Sequence, residues 1–89
     1  MGEPIVVELT YDMGKELGVP RFEVATAATV ADVVAAARER FGAKADAFGR
    51  LGRVANVAVN GVLISHRKGM KTRLQPGDRV SFVKAAAGG

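Results

Sequence analysis

The sequence predicts a small α+β domain in which one helix packs across one mixed β-sheet. Stretches near both ends of the chain place apolar residues at every second position, which is typical of strands with one buried face. One stretch in the middle repeats its apolar residues with helical spacing. Because the chain has 89 residues, we expect one such domain rather than two.

The first 25 residues predict a hairpin of two strands. Residues 5–11 alternate between apolar and more polar positions and predict the first strand. Its inward-facing side chains would be Ile5, Val7, Leu9 and Tyr11. Residues 12–20 hold two glycines and a proline, so we expect a loop there. Residues 21–25 alternate again and predict the second strand, with Phe22 and Val24 facing inward.

Residues 30–41 predict the main helix. Thr29 occupies the position of an N-cap, and Asp32 lies three residues later as its capping-box partner. Gly42 is a suitable stop after the last turn. The apolar residues that would line the buried face are Val30, Val33, Val34, Ala37 and Phe41.

The second half of the chain predicts three more strands. Residues 43–54 have no clean period, and their glycines and arginines predict a mobile, basic connection. Strands at 57–59 and 62–64 flank a tight turn at Asn60-Gly61. After a polar loop and a turn at 74–78, residues 79–83 predict the last strand, which we place centrally and parallel to the first.

Composition excludes several classes of function. The chain has no cysteine, which excludes a disulfide scaffold, a cysteine nucleophile and a cysteine-ligated zinc site. The one histidine, His66, follows Ser65 in a polar loop with no acidic neighbour to orient it, and no cluster of residues has metal-ligand spacing. We therefore expect no enzyme, no metal and no bound cofactor. The absence of a signal peptide and of a long apolar run predicts a cytoplasmic protein without a membrane span.

Charge is distributed unevenly along the chain. Residues 1–49 carry five Lys or Arg against eight Asp or Glu, whereas residues 50–89 carry eight against Asp78 alone. A positive field of this kind favours docking on an acidic protein partner. RNA phosphates and a merely solvated surface remain alternatives, although the few aromatic residues do not favour nucleic acid. The candidate docking residues are Arg67, Lys68, Lys71, Arg73 and Lys84.

The last residues, Gly88-Gly89, are the most informative feature of the chain. Glycine has no Cβ, so a diglycine end can enter a slot that is too narrow for other residues. Ala86 and Ala87 before it add little bulk to the segment that would thread into a partner. We therefore predict a domain over residues 1–83 and a flexible tail over 84–89, with a frayed terminus as the alternative reading.

Taken together, these features resemble the ubiquitin-like β-grasp sulfur carriers of the MoaD/ThiS group. The resemblance rests on the hairpin, the capped helix at 29–41, the segments 57–61 and 74–80, and the terminal Gly88-Gly89. It implies a ubiquitin-like β-grasp fold with four to five strands on one main helix. Because of the added stretch at 43–54, the chain looks most like the small subunit of molybdopterin synthase.

The resemblance also implies a function. Gly89 would be adenylated with ATP by a ubiquitin-activating-like enzyme and converted to a thiocarboxylate by a sulfurtransferase or another sulfur donor. An acceptor such as the large subunit of molybdopterin synthase would then receive the sulfur. Two alternatives stay open: a ubiquitin-like modifier that is conjugated through Gly89, and, from a different class, a small basic RNA-binding module.

Overall fold

The computed structural model describes residues 2–85 of the chain. In chain order its strands and main helices are β1 (Ile5–Glu8), α1 (Tyr11–Leu17), β2 (Arg21–Val24), α2 (Val30–Phe41), α3 (Ala45–Arg53), β3 (Ala55–Val59), β4 (Val62–Leu63) and β5 (Arg79–Lys84). Short 3-10 helices lie at Gly42–Lys44, Ile64–His66 and Gly69–Lys71. The strands form one sheet in the order β2-β1-β5-β3-β4, which confirms the predicted α+β class.

The last strand, β5, occupies the centre of the sheet. It pairs in parallel with β1, where Val7 lies opposite Val80, and antiparallel with β3, where Val57 lies opposite Phe82. The predicted central position of the strand and its parallel pairing with β1 are therefore confirmed. β5 ends at Lys84, one residue beyond the predicted domain boundary at 83.

The helices cover one face of the sheet and leave the other open. Val7 and Val80 of the central strands are fully buried, as are Val30 and Val33 of α2. This burial of apolar surface is the main force that holds the helical layer on the sheet. Phe48 of α3 extends the core, because its ring lies 5.7 Å from that of Phe41 and 5.6 Å from that of Phe82.

The N-terminus of α2 confirms the predicted capping box. Thr29 Oγ1 accepts a hydrogen bond from the backbone N–H of Asp32 at 3.3 Å, and Asp32 Oδ2 accepts one from the N–H of Thr29 at 3.2 Å. The helix runs over the predicted residues 30–41 and stops at Gly42.

Residues 12–20 are not the predicted loop, because α1 occupies most of them. Thr10 caps this helix by accepting from the N–H of Met13 at 3.1 Å, and Gly18 ends it with a φ of 88°. Met13 and Leu17, one turn apart, are buried on its inner side. The first strand accordingly ends at Glu8, and Tyr11, predicted to face inward, is 80% exposed.

Residues 43–54 were also predicted incorrectly. Instead of a mobile connection they form the 3-10 helix Gly42–Lys44 and then α3. No side chain caps the start of α3, so local capping does not fix it. Phe48, which is 2% exposed, anchors the helix in the core.

The predicted turns are present, with one change in strand length. Asn60 and Gly61 have φ values of 50° and 87°, as a two-residue hairpin turn requires. The turn before β5 closes through a 3.0 Å bond from the N–H of Asp78 to the carbonyl of Gln75. Ile64, predicted to end the fourth strand, instead begins a 3-10 helix, so β4 is only two residues long.

Candidate functional site

The candidate site is where the chain leaves the sheet at the end of β5. Lys84 is the last residue of this strand and lies opposite Ala55, the first residue of β3. Ala85 follows and is exposed. The predicted threading residues and the predicted reactive carboxylate lie outside the described residues: Ala86, Ala87, Gly88 and Gly89. Their roles and the division of the chain at residue 83 therefore stay predictions.

A groove of about 540 Å³ surrounds this point, and we call it the exit groove. It lies between the start of α1, the end of α3 and the end of β5. Most of its lining surface is apolar. Its lining residues are Thr10, Tyr11, Asp12, Met13, Leu51, Val54, Ala55, Phe82, Val83, Lys84 and Ala85.

Large apolar side chains are exposed around the exit groove. Tyr11 is 80% exposed, Val54 71% and Val83 38%. The described part of the chain has two other exposed large hydrophobic residues, Val62 and Met70, and neither lines this groove. Because monomeric proteins rarely leave such side chains clustered in water, the exit groove has the character of a surface that a partner covers.

Local structure explains why Tyr11, Val54 and Val83 are exposed around the exit groove. Tyr11 is the first residue of α1, whose start is fixed by the Thr10 cap, and its position leaves the ring outside the core. Val54 follows the last residue of α3. Val83 points to the open face of the sheet, since its neighbour Phe82 points into the core.

The open face of the sheet is polar next to the central strand. Ser81 Oγ donates a 2.9 Å hydrogen bond to Glu8 Oε1, and Arg79 Nε lies 3.8 Å from Glu8 Oε2. The Arg79 side chain is 62% exposed, so this ion pair contributes little to stability. The two contacts fix the position of Glu8 beside β5 and give this face a defined polar surface.

The structure divides the predicted docking residues into two groups. Four of them, Arg67, Lys68, Lys71 and Arg73, lie on the segment that leads from β4 towards the turn before β5. Thr72 fixes this segment: its Oγ1 donates to the carbonyl of Gly69 and accepts from the N–H of Lys68. Lys84 is separate from this group and lines the exit groove. All five side chains are exposed.

The other sequence candidates have no site around them. His66 is exposed at the end of a 3-10 helix. Over residues 2–85, no group of three or more His, Cys, Asp or Glu side chains is arranged to hold a metal ion. None of the helices in this range has the length and apolar character needed to cross a membrane.

The fold is similar to several solved structures. Small archaeal modifier protein 1 from Methanosarcina acetivorans matches with a TM-score of 0.77 at 20% identity, over 100% of this chain and 99% of that one. The Amycolatopsis orientalis BexX/CysO complex matches with a TM-score of 0.77 at 24% identity, over 96% and 99%. A Pyrococcus furiosus protein assigned as subunit 1 of molybdopterin converting factor matches with a TM-score of 0.69 at 19% identity, over 94% and 99%.

These likenesses confirm the predicted ubiquitin-like β-grasp fold and, at such identities, show the fold alone. No curated protein matched the chain in sequence. A family model does match: that of the ThiS family, over residues 17–89. The match begins at the end of α1 and includes the segment beyond β5. Since it covers most of the chain, this protein belongs to the ThiS family.

Proposed function

We propose that this protein is a non-enzymatic sulfur carrier that works through a thiocarboxylate formed on Gly89. The observation that carries the proposal is that the family match extends through residue 89. In support, the central strand β5 ends beside the exit groove at Lys84, only five residues before Gly89. The folded body then serves to bind partners and to present the tail.

The proposed chemistry begins with activation of the Gly89 carboxylate as an electrophile. A carboxylate resists attack because its leaving group would be oxide. In the partner enzyme a carboxylate oxygen of Gly89 would attack the α-phosphorus of ATP, releasing pyrophosphate and leaving an acyl adenylate. Hydrosulfide would then attack the carbonyl carbon and release AMP, which leaves the thiocarboxylate. A persulfide donor would give an acyl disulfide first, and a thiol would reduce it.

The tail has a limited reach. Lys84 belongs to β5, so the segment that can thread freely begins at Ala85 and spans at most roughly 16–18 Å when extended. The body must therefore dock close to the nucleotide pocket of its partner. Ordering five residues costs roughly 5–10 kcal/mol of conformational free energy.

The exit groove can offset a large part of this cost. Complete burial of one large apolar side chain contributes about 1.5–3 kcal/mol. Tyr11, Val54 and Val83 are exposed by 38–80%, so covering all three recovers several kcal/mol but not the whole cost. A partner must therefore contact a further surface, for which the open face of the sheet and Lys84 are the nearest candidates.

The partners we propose are an adenylating enzyme of the ubiquitin-activating type, a sulfurtransferase or other sulfur donor, and an acceptor enzyme. The molybdopterin synthase large subunit is the acceptor we favour, in support of which the fold resembles a molybdopterin converting factor subunit. ATP is used by the partner, so no cofactor is assigned to this chain. This chemistry agrees with the expected cytoplasmic location.

A ubiquitin-like modifier is the second candidate, and the likeness to a small archaeal modifier protein favours it. The two functions share the activated tail and differ in whether sulfur or a lysine amine attacks it. RNA binding has less support. All five aromatic residues are described, and only Tyr11 is exposed, so the surface offers one ring for base stacking.

The test is to incubate the full chain with ATP, the adenylating enzyme of its own host and a sulfur donor, and then to measure its intact mass. Conversion to the thiocarboxylate replaces one oxygen by sulfur and adds about 16 Da. We expect Gly89→Ala, or one residue appended after Gly89, to lower the yield sharply while the fold is unchanged.

A residue appended before Met1 is the matched control. β1 enters the sheet beside the start of β5, so the described chain begins at the opposite end of the sheet from the exit groove. A full yield of thiocarboxylate from the chain extended after Gly89 would contradict the proposal. Gel ladders that depend on Gly89, without the gain in mass, would establish the modifier instead.

A further inference from the structure

A second groove opens on the helical side of the sheet, and we call it the helix groove. It has a volume of about 370 Å³ and lies between α2, α3 and the 3-10 helix Gly69–Lys71. Val57 and Phe82 of the sheet form its floor, and Val34 and Met70 form part of its walls. Met70 is 43% exposed, so this apolar groove is open to water.

Gly49 of α3 keeps the helix groove open. Gly52, three residues later, also lines the groove, but a Cβ there would lie 3.4 Å from the Phe82 ring and 3.7 Å from Met13 Cε, which belongs to the exit groove. Glycine is disfavoured inside helices, so local stability does not explain this pair. A Cβ at Gly49 would lie 2.8 Å from Arg38 Nη1, at the end of a flexible side chain, and no other side chain occupies that space. Larger residues here would fill the groove.

The rim of the helix groove is positively charged. Arg38 and Arg53 line it, and none of its lining residues is acidic. Across residues 2–85 the only ion pair is that of Arg79 with Glu8, so neither rim arginine has a carboxylate within 4.0 Å in that range. Both arginines are exposed. A guanidinium group binds carboxylates through paired hydrogen bonds, so the rim is complementary to acidic side chains.

We propose that the helix groove binds an acidic segment of a partner protein, which inserts an aliphatic side chain between Val34 and Met70 while its carboxylates contact Arg38 and Arg53. The floor of the helix groove favours an acidic protein segment over RNA. Phe48 and Phe82 are only 2% and 5% exposed and offer no face for base stacking, whereas the open wall residues are aliphatic or methionine.

This site is separate from the site of sulfur transfer. α3 stands between the two grooves, with Leu51 and Val54 lining the exit groove and Gly49, Gly52 and Arg53 lining the helix groove. They share only Ala55 and Phe82. A partner can therefore occupy the helix groove while the tail is engaged elsewhere, and binding there does not require Gly89.

The test is a titration of the ¹⁵N-labelled full chain with a short synthetic peptide that carries two leucines flanked by glutamates. We expect saturable shifts of the amides of α3 and Met70. The double variant R38E/R53E should weaken binding by at least about tenfold, because it removes both charged anchors. Gly49→Leu should abolish binding by filling the groove. Arg21→Glu, the same charge change on an exposed residue of β2, should change the dissociation constant by less than about twofold.

Several results would overturn the proposal. They are the absence of saturable shifts, shifts confined to the exit groove, equal binding by the same peptide with lysines in place of glutamates, or binding of oligouridylate but not the peptide. The amide spectrum of each variant shows whether it is folded. If Gly49→Leu does not fold, the arginine variants still decide the question. Deletion of Gly88-Gly89 should leave peptide binding unchanged, so the test is independent of the carrier chemistry.

Discussion

α2 and α3 lie side by side over the same sheet, yet they are held there in different ways. α2 has twelve residues, a complete capping box and three buried positions in its apolar stripe. α3 has nine residues, no side-chain cap, two internal glycines and one buried residue, Phe48. The first helix is specified by its own cap and apolar stripe, whereas the second is held mainly by Phe48, with the half-buried Ala47 and Leu51 packed against the core beside it.

The difference matters because α3 separates the two grooves. A helix with no side-chain cap and one fully buried residue should open locally more easily than one with a capping box and three buried positions. We therefore expect the amides of α2 and the central strands to be better protected from hydrogen exchange than those of α3. Both grooves lie along α3.

Removal of the anchor should have the largest effect on stability. Phe48→Ala deletes a ring that is 2% exposed and contacts Phe41 and Phe82. We expect the free energy of unfolding to fall by about 3–5 kcal/mol, measured by urea denaturation. Val54→Ala is the control at the end of the same helix, and because Val54 is 71% exposed it should cost under about 0.5 kcal/mol. Equal losses from both variants would show that α3 is not anchored by Phe48.

Removal of the α2 cap should have a smaller effect. Thr29→Ala loses the hydroxyl that accepts from the N–H of Asp32 and should destabilise the protein by about 1 kcal/mol. Thr26→Ala, an exposed threonine in the preceding loop, is the matched control and should be close to neutral. Thermal melts of the two variants measure the difference. If Thr29→Ala has the same melting temperature as the wild type, the capping box does not stabilise α2.

Replacement of a glycine in α3 by alanine should have the smallest effect on stability, and it should raise the free energy of unfolding. Gly49→Ala should stabilise the protein by about 0.5–1 kcal/mol, because alanine is the better helix former and the new methyl meets only the mobile end of Arg38. Gly18→Ala should instead destabilise it, since Gly18 has a φ of 88°. Urea denaturation of the pair checks both signs. A loss of stability in Gly49→Ala would mean that Arg38 cannot move aside.

The sequence predicted those parts of the fold whose signals are local. The alternation of residues 79–83, the turn at Asn60-Gly61 and the box at Thr29 each lie within a few residues, and the structure confirms them. α1 was missed because Gly14 and Gly18 suggested a loop. The spacing of Met13 and Leu17 together with the Thr10 cap was the available signal.

Other features were harder to find from local patterns. α3 was missed because it has no cap and holds two glycines, although the spacing of Ala47, Phe48 and Leu51 on one face was an available signal. The exit groove unites Tyr11, Val54 and Val83 from three distant parts of the chain. The proposed reactive end, by contrast, was predicted from the last residues alone and remains to be tested by the mass measurement.

The central position of β5 has a consequence for how the protein is made. Since β5 is the last strand in chain order but joins β1 to β3, a nascent chain on the ribosome cannot close its sheet until this strand emerges. A product that terminates before Arg79 lacks the middle of the sheet and should be degraded rather than accumulate. Synthesis therefore yields few folded bodies that lack the segment after β5.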